Sequence, residues 1–161
     1  YGAAVPFLRS SAAADDYATT AEVLTEVIQT YQKIGQFFAR ACCIYPTAPF
    51  VTPEKLKAAM ELLQEEHTEA VVPVTAFSFP PLRGMYIRDG SLQYCSPQYA
   101  DCRSQDLETM YHDCGQFYCF KPDVLLRKRR LITEYAKALI VPGQEVQDID
   151  TPQDWEIAEL K

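Results

Sequence analysis

Residues 39–77, ARACCIYPTAPFVTPEKLKAAMELLQEEHTEAVVPVTAF, alternate between strand-like and helix-like patterns. The run ARACCIY is short and apolar, which is typical of a strand that is buried on both faces. Thr52, Pro53 and Glu54 then mark the start of a helix, with a capping hydroxyl, a proline in the first turn and an acid. The run AVVPVTAF predicts a second buried strand, in which Pro73 indicates a sheet edge or a bulge.

The same alternation continues on both sides of this stretch. Upstream, AEVLTEVIQTYQKIGQFF predicts an amphipathic helix that ends near Gly35. Downstream, RGMYIRDGSLQYC predicts a hairpin that turns at Asp89-Gly90. Four more elements are then predicted in order: a strand in GQFYCF, a helix in PDVLLRK, a strand in KALIVP and a helix in TPQDWEIAEL. We therefore predict an α/β fold with a mixed sheet, in which the hairpin belongs to an inserted region.

Composition limits the classes of function. The formal net charge is −7 and the pI is about 4.8, which argues against binding to nucleic acid or to an anionic membrane. No apolar run approaches the roughly 18 residues of a membrane span. Six cysteines are present, and in a chain of this length we expect buried, reduced thiols in a cytoplasmic protein rather than disulfides. They are Cys42, Cys43, Cys95, Cys102, Cys114 and Cys119.

Two acids, Asp148 and Asp150, stand one residue apart immediately before the last predicted helix. If residues 146–150 are extended, both side chains project to one face while Ile149 points into the core. Two carboxylates on one face suit Mg²⁺, which takes the rest of its shell from water and substrate phosphates. The alternative is an acidic loop that caps the helix and faces solvent.

Three further segments leave two interpretations open. The sequence CIYPTAPF, after the first predicted strand, is either a stiff pocket wall or a plain connection. The sequence RSQDLETMYHDCGQFY could bind a polyhydroxylated anion, with Arg103 forking onto a carboxylate. A zinc site built from Cys95, Cys102, His112 and Cys114 is the less favoured alternative, because paired C-x-x-C spacing is absent. The basic run 127–130 favours a solvated face over a phosphate site.

Five segments, taken in order, resemble the sialic-acid cytidylyltransferase family, most of all its pseudaminic acid branch. They are YGAAVPFLR, DDYATT, CCIYPTAPF, RSQDLETMYHDCGQFY and VQDIDTPQDWEIAEL, and together they span nearly the whole chain. The resemblance implies a three-layer, Rossmann-like nucleotide-diphospho-sugar transferase fold. It makes residues 1–161 a single cytidylyltransferase domain, with residues 78–120 as the inserted region that would contribute to the sugar pocket and to a homodimer.

The resemblance also implies an activity, in which CMP passes from CTP to a nine-carbon sialic-acid-like sugar and pyrophosphate leaves. Asp148 and Asp150 would hold Mg²⁺, and Thr20 would contact the nucleotide. Tyr45, Arg103 and Tyr118 would contact the sugar, and Tyr45 replaces a Gln that is usual in sialic-acid enzymes, which favours a nonulosonate other than N-acetylneuraminate.

In the family, roughly 60 residues with a basic nucleotide-binding loop precede the part matched here, counting about 30 for each βα unit. We therefore expect the 161-residue chain on its own to be inactive. The alternative functions are transfer to another keto-acid sugar and a non-catalytic dimerising or binding fragment.

Overall fold

The computed structural model describes residues 2–161, so Tyr1, the first residue of the segment YGAAVPFLR, lies outside the described residues. The helices are α1 (Thr20–Lys33), α2 (Pro53–Leu62), α3 (Pro122–Lys128) and α4 (Pro152–Leu160). The strands are β1 (Ala41–Ile44), β2 (Ala70–Ala76), β3 (Met85–Arg88), β4 (Ser91–Tyr94), β5 (Tyr111–Asp113), β6 (Phe117–Phe120) and β7 (Ala136–Ile140). In residues 2–161 no helix is both long enough and apolar enough to cross a membrane.

One sheet has the strand order β1-β6-β2-β5, with β7 also paired to β2, and β3 and β4 form a separate two-stranded sheet. The pairs β1–β6, β2–β6 and β2–β5 are antiparallel. At β7, Glu69 N donates to Tyr135 O and Val141 N donates to Val74 O. These partners advance together along both strands, as in a parallel pair. The predicted α/β fold with a mixed sheet is confirmed.

The chain divides into two compact units. The first contains the described residues up to Pro46 together with Val51–Val72 and Phe117–Leu139, and the second contains Thr47–Phe50, Pro73–Gln116 and Ile140–Lys161. Residues 78–116 of the predicted inserted region therefore lie in the second unit, whereas β6 lies in the first. The roles predicted for residues 78–120 in a dimer and in a sugar pocket stay predictions.

In the first unit, α1 begins as its sequence predicts. Thr19 Oγ1 caps the helix by accepting from Glu22 N, and the Glu22 carboxylate accepts from Thr19 N, which completes a capping box. One face of α1 packs through Ile28 against Phe120 and Leu125, while Leu63 of the region after α2 packs against Phe117. These contacts bury the apolar sides of β6 and of the helices, and they hold the start of α1 in place.

The strand β1 differs from its prediction. We expected it to be buried on both faces, but exposed residues alternate along it and Ile44 is 50% exposed. Among the described residues β1 pairs with β6 alone, so it forms an edge of this sheet. Its apolar run reflects residues that suit a strand rather than burial on both faces.

In the second unit, the predicted hairpin is confirmed. Strands β3 and β4 pair from Met85–Tyr94 to Arg88–Ser91, and the turn consists of Asp89 and Gly90. Both turn residues have positive φ, 51° and 77°, which the tight two-residue turn requires.

Pro73 lies in the interior of β2, not at a sheet edge, and it is fully buried. The prediction of an edge was wrong, and no bulge is seen within β2 itself, because the extra residues lie in the segment that pairs with it. Antiparallel pairing with β6 ends at Val71, and pairing with β5 begins at Val74. The proline therefore stands where the ladder changes partner, so its missing N–H costs no regular ladder bond.

The expected strand at residues 146–150 is not formed. These residues follow a short 3₁₀ turn, Gly143–Glu145, and have no strand pairing in the described chain. Ile149 is only partly buried, so it does not anchor the segment in the core as predicted. The expected helix after it is confirmed as α4, with Thr151 as its cap and Pro152 in its first turn.

All six cysteines are free thiols, as expected, but most of them are not buried. Only Cys114 and Cys119 are buried, whereas Cys42 and Cys95 are exposed. The expectation failed for Cys42 because β1 is an edge strand, and for Cys95 because it lies at the end of the exposed hairpin.

Candidate functional site

The second unit holds the predicted acidic pair beside a glycine. Asp148 and Asp150 are exposed residues, and the carboxylate of Asp148 lies over Gly115. A Cβ atom at position 115 would be 3.2 Å from Asp148 Oδ2. Partial burial raises the pKa of Asp148, and the charge of Asp150 raises this pKa further. The two carboxylates thus interact through their charges, although no strand aligns them.

Asp154 has a separate role at the start of α4. Its carboxylate accepts hydrogen bonds from Thr151 N at 2.9 Å and from Thr151 Oγ1 at 2.7 Å. The hydrogen bond from the Thr151 side chain, with that from its backbone, lowers the pKa of Asp154. This capping acid therefore stays ionised and bound. Asp150 N also donates to Asp154 Oδ2 at 3.3 Å, but the carboxylates of Asp148 and Asp150 take no part in the cap.

A third acid, Asp113, lies near the pair. Asp113 Oδ1 accepts a hydrogen bond from Gly115 N at 2.9 Å, and its charge also raises the pKa of Asp148. No cluster of three or more His, Cys, Asp or Glu side chains with metal-binding geometry occurs within residues 2–161. The site thus offers a small set of hard oxygen donors, which suits an ion that keeps part of its water shell.

Arg103, also in the second unit, is already paired. Its Nε and Nη2 donate to the Asp106 carboxylate at 2.7 and 2.9 Å, and the Arg103 side chain is 71% exposed. An anionic ligand would therefore compete with Asp106 for the guanidinium fork. Because exposed ion pairs contribute little to stability, this exchange would cost little.

The first unit brings three predicted residues together. Thr20 and Tyr45 line a cavity of about 430 Å³ between the start of α1 and the end of β1, and their hydroxyl groups share a hydrogen bond. The ring of Tyr45 meets the ring of Tyr118 edge to face, with 5.5 Å between centroids. Tyr118 is buried, so it supports Tyr45 rather than forming an open wall. The segment CIYPTAPF contributes Ile44, Tyr45 and Pro46 to this cavity, which fits the pocket-wall interpretation.

Several residues of these two groups were not predicted from the sequence. Arg9 lines the first unit's cavity and gives it a cation. Gly115 lies next to the Asp148 carboxylate, Asp113 accepts a hydrogen bond from Gly115 N, and Gln116 donates to Glu145 O. All three residues belong to the segment RSQDLETMYHDCGQFY. The composition of that segment does not indicate which of its residues meet Asp148.

The basic run 127–130 is less solvated than expected. Lys128 donates to Glu69 Oε2 at 2.7 Å, and its side chain is 19% exposed. Arg129 ends α3 in the left-handed conformation, with φ of 56°. Lys128 therefore serves an internal ion pair, which leaves the other cations of the run to face solvent.

Comparison with characterised proteins identifies the family. A pseudaminic acid cytidylyltransferase from Campylobacter jejuni is 32% identical over 161 residues, which are 99% of this chain and 69% of that protein. A Helicobacter pylori protein, named as pseudaminic acid cytidylyltransferase and UDP-2,4-diacetamido-2,4,6-trideoxy-beta-L-altropyranose hydrolase, is 33% identical over 92% of this chain and 28% of its own. CMP-N,N'-diacetyllegionaminic acid synthase from Legionella pneumophila is 29% identical over 99% of this chain and 69% of its own.

Among solved structures, CMP:2-keto-3-deoxy-manno-octonic acid synthetase complexed with CTP aligns with a TM-score of 0.57 at 14% identity. The alignment covers 90% of this chain and 69% of that one, and at this identity it supports the fold alone. No protein-family model matches the chain. The alignment with the pseudaminic acid cytidylyltransferases covers 99% of this chain and so extends over both units. This chain belongs to the sialic-acid cytidylyltransferase family.

Proposed function

We propose that this chain belongs to an enzyme that transfers CMP from CTP to a nine-carbon sialic-acid-like sugar, with pseudaminic acid as the favoured acceptor. The observation that carries the proposal is the 32% identity to pseudaminic acid cytidylyltransferase over 99% of the chain. The Asp148–Asp150 pair and the polar cavity with Thr20 and Tyr45 supply residues suited to this chemistry. In the reaction, the anomeric hydroxyl oxygen attacks the α-phosphorus of CTP, its proton is lost, and the bond to pyrophosphate breaks.

Asp148 and Asp150 would hold Mg²⁺. The residues fit such an ion in two ways: their donors are hard carboxylate oxygens, and the pKa of Asp148 is raised first by partial burial and then by the charge of Asp150, a charge that a cation would offset. Gly115 leaves the room that the Asp148 carboxylate occupies. When bound, a divalent cation neutralises phosphate charge and orients the reacting oxygens. The two carboxylates would act as ligands of that ion, and the reaction requires no side-chain nucleophile.

The first unit's cavity would bind the nucleotide and part of the sugar. Its apolar walls include Val23 and Leu24, against which a ring can pack, while Thr20 and Tyr45 present hydroxyl groups. Arg9 provides a cation that can meet a phosphate or a carboxylate. Tyr118 holds the Tyr45 ring in place by its edge-to-face contact.

Arg103 would contact the carboxylate or hydroxyl groups of the sugar after it exchanges its Asp106 partner. The planar guanidinium matches a carboxylate in two parallel hydrogen bonds, which is the geometry it already makes with Asp106.

We also propose that the enzyme acts as a homodimer through the hairpin of the second unit. Ile87 and Leu92 are cross-strand partners, so their side chains share one face, and they are 77% and 68% exposed. Adjacent exposed apolar side chains of this kind are typical of an interaction surface. The cytoplasmic location remains a prediction.

A second candidate is transfer of CMP to another nonulosonic acid, which the similarity to the legionaminic acid synthase favours. The test is release of pyrophosphate from CTP by the enzyme, with pseudaminic acid, N,N'-diacetyllegionaminic acid and N-acetylneuraminic acid as separate acceptors. The proposal expects the highest kcat/KM with pseudaminic acid. Turnover with N-acetylneuraminic acid alone would overturn it, and a preference for the legionaminic sugar would favour the second candidate.

A further inference from the structure

The turn Cys114–Gln116 is an insertion in the antiparallel ladder. Val71 pairs with Cys119, and Val74 pairs with Asp113. The two paired positions are three residues apart in β2 but six residues apart in the segment from β5 to β6. Three extra residues thus leave the ladder opposite Pro73, and Cys114 N donates to Pro73 O. The turn Cys114–Gln116 has two features that a simple connection between β5 and β6 would not require.

The first feature is Gly115. Its φ of +61° lies in the left-handed region, and a Cβ atom there would be 3.2 Å from Asp148 Oδ2 and 3.4 Å from Asp148 Cγ. Glycine is therefore favoured at this position both by its backbone conformation and by the closeness of the Asp148 carboxylate. The Asp148 carboxylate therefore occupies space that a side chain at position 115 would restrict.

The second feature is Gln116, whose side chain is completely buried. Its Nε2 donates to Glu145 O at 2.7 Å, while its Oε1 is buried and has no hydrogen-bond partner among residues 2–161. Burying an amide with one polar atom unsatisfied costs stability. A methionine of similar length could fill the volume without that cost, so packing alone does not account for glutamine here.

The bond from Gln116 reaches the segment that carries the acids. Glu145 ends the 3₁₀ turn Gly143–Glu145, and Asp148 follows three residues later. Residues 146–150 have no strand pairing that would hold them, so contacts from neighbouring segments determine where the carboxylates lie. Gln116 holds the backbone at Glu145, immediately before residues 146–150. Gly115 leaves space for the Asp148 carboxylate of that segment.

We propose that Gln116 and Gly115 are positioning residues for a divalent cation held by Asp148 and Asp150. The inference rests on the proposed function, since it presumes that the acidic pair binds Mg²⁺. Neither residue touches the reacting atoms. Gln116 acts through the Glu145 carbonyl, and Gly115 acts through the space it leaves for Asp148. Partners that orient metal ligands in this way commonly change metal affinity by about 10- to 100-fold when they are replaced.

The test is a titration of the enzyme with Mn²⁺, followed by electron paramagnetic resonance, in the parent and in Gln116→Met and Gly115→Ala. We expect each variant to bind Mn²⁺ at least about 10-fold more weakly. We also expect the Mg²⁺ concentration for half-maximal turnover to rise by a similar factor, with most of kcat regained at saturating Mg²⁺. Gly115→Ala keeps the test decisive if Gln116→Met does not fold.

Two matched controls separate positioning from general loss of stability. Thr25→Val removes another buried side-chain oxygen that has no partner, in the first unit. Gly35→Ala imposes similar backbone strain, at φ of +80°, where a Cβ atom would meet nothing within 4 Å. Both controls should retain the parent's Mn²⁺ affinity.

Parental Mn²⁺ affinity in both Gln116→Met and Gly115→Ala, with only a lower Tm, would overturn the inference and leave the proposed function intact. Parental Mn²⁺ affinity in Asp150→Asn would overturn the metal site itself, and the inference with it. The two failures are thus distinguished by different variants in the same measurement.

Discussion

Thr151 and Asp154 cap α4 reciprocally: Asp154 N donates to Thr151 Oγ1 at 3.3 Å, and the Asp154 carboxylate accepts from Thr151 N at 2.9 Å. This capping box satisfies the first turn of the helix with one acid of the three in the segment 148–154. The alternative that Asp148 and Asp150 exist to cap the helix is therefore disfavoured, and their charges remain available for a ligand.

Asp150→Asn should reduce turnover by at least about 10²-fold, because it removes a charge that would hold the proposed cation. The Tm should stay close to that of the parent, because Asp150 is exposed and Asp154 makes the cap. Steady-state pyrophosphate release and thermal unfolding measure the two effects. Asp154→Asn is the matched control, and it should lower the Tm by a few degrees. Near-normal turnover in Asp150→Asn would contradict the metal-binding role.

Asp148→Asn should abolish most turnover without lowering stability. The raised pKa of Asp148 means that its ionised form is disfavoured in the folded chain, so at pH 7 the carboxylate opposes folding. This opposition disappears as the pH falls below the folded-state pKa, and the neutral amide removes it at every pH. Denaturant unfolding at pH 7 should show equal or greater stability for Asp148→Asn. A marked loss of stability would show that Asp148 serves the fold.

Tyr45→Phe should raise the KM for substrate by up to about 10-fold, which corresponds to the loss of one hydrogen bond. The variant keeps the ring that packs on Tyr118 but deletes the hydroxyl that meets Thr20. Tyr17→Phe is the control, since Tyr17 is 92% exposed and does not line this cavity. Equal KM values in the two variants would exclude the Tyr45 hydroxyl from binding. Tyr45→Gln should shift kcat/KM toward N-acetylneuraminic acid.

Glu69→Gln should lower the Tm at pH 7 and lose this effect in acid. The Glu69 carboxylate accepts from Lys128 Nζ and from Thr133 Oγ1, and the Lys128 bond is the main cause of its lowered pKa. Its stabilisation is fully present above the unfolded-state pKa of about 4.3 and disappears as the pH falls through the lower folded-state pKa. Thermal unfolding from pH 7 to pH 2 should therefore show the two proteins converging.

The control for Glu69 is Glu65→Gln, which breaks the more exposed ion pair with Lys137. Its effect on the Tm should be small at every pH, because exposed ion pairs contribute little. A pH-independent difference between the parent and Glu69→Gln would show that the ionised carboxylate is not what stabilises this region.

Ile87→Lys should convert a dimer into a monomer if the hairpin forms the proposed interface. A charge on the apolar face shared with Leu92 would have to be desolvated in the contact. Sedimentation velocity measures the outcome. Ile34→Lys, at another exposed apolar position, should leave the assembly unchanged. A dimer that survives Ile87→Lys would exclude this face.

The sequence alone predicted the elements with the strongest local signals. The capping residues Thr19 and Thr52, the turn at Asp89-Gly90 and the start of α4 at Pro152 all agree with the structure. Each depends on chemistry within a few residues, such as a hydroxyl that meets a nearby N–H or a backbone that needs positive φ. The acidic pair was proposed from two carboxylates, their spacing and the family resemblance together, and its metal-binding role stays a prediction.

The tertiary structure decided the surroundings of those residues. Burial of β1 failed as a prediction because the number of its neighbours depends on strand order, which a strand's own residues do not encode. The close approach of Gly115 to Asp148 and the hydrogen bond from Gln116 to Glu145 O were also missed. Both contacts join segments about 30 residues apart in the chain, at an insertion in the ladder. Local sequence determined which side chains and caps this protein has, whereas long-range pairing alone determined which of them meet, since contacts between distant segments depend on the packing of the whole chain.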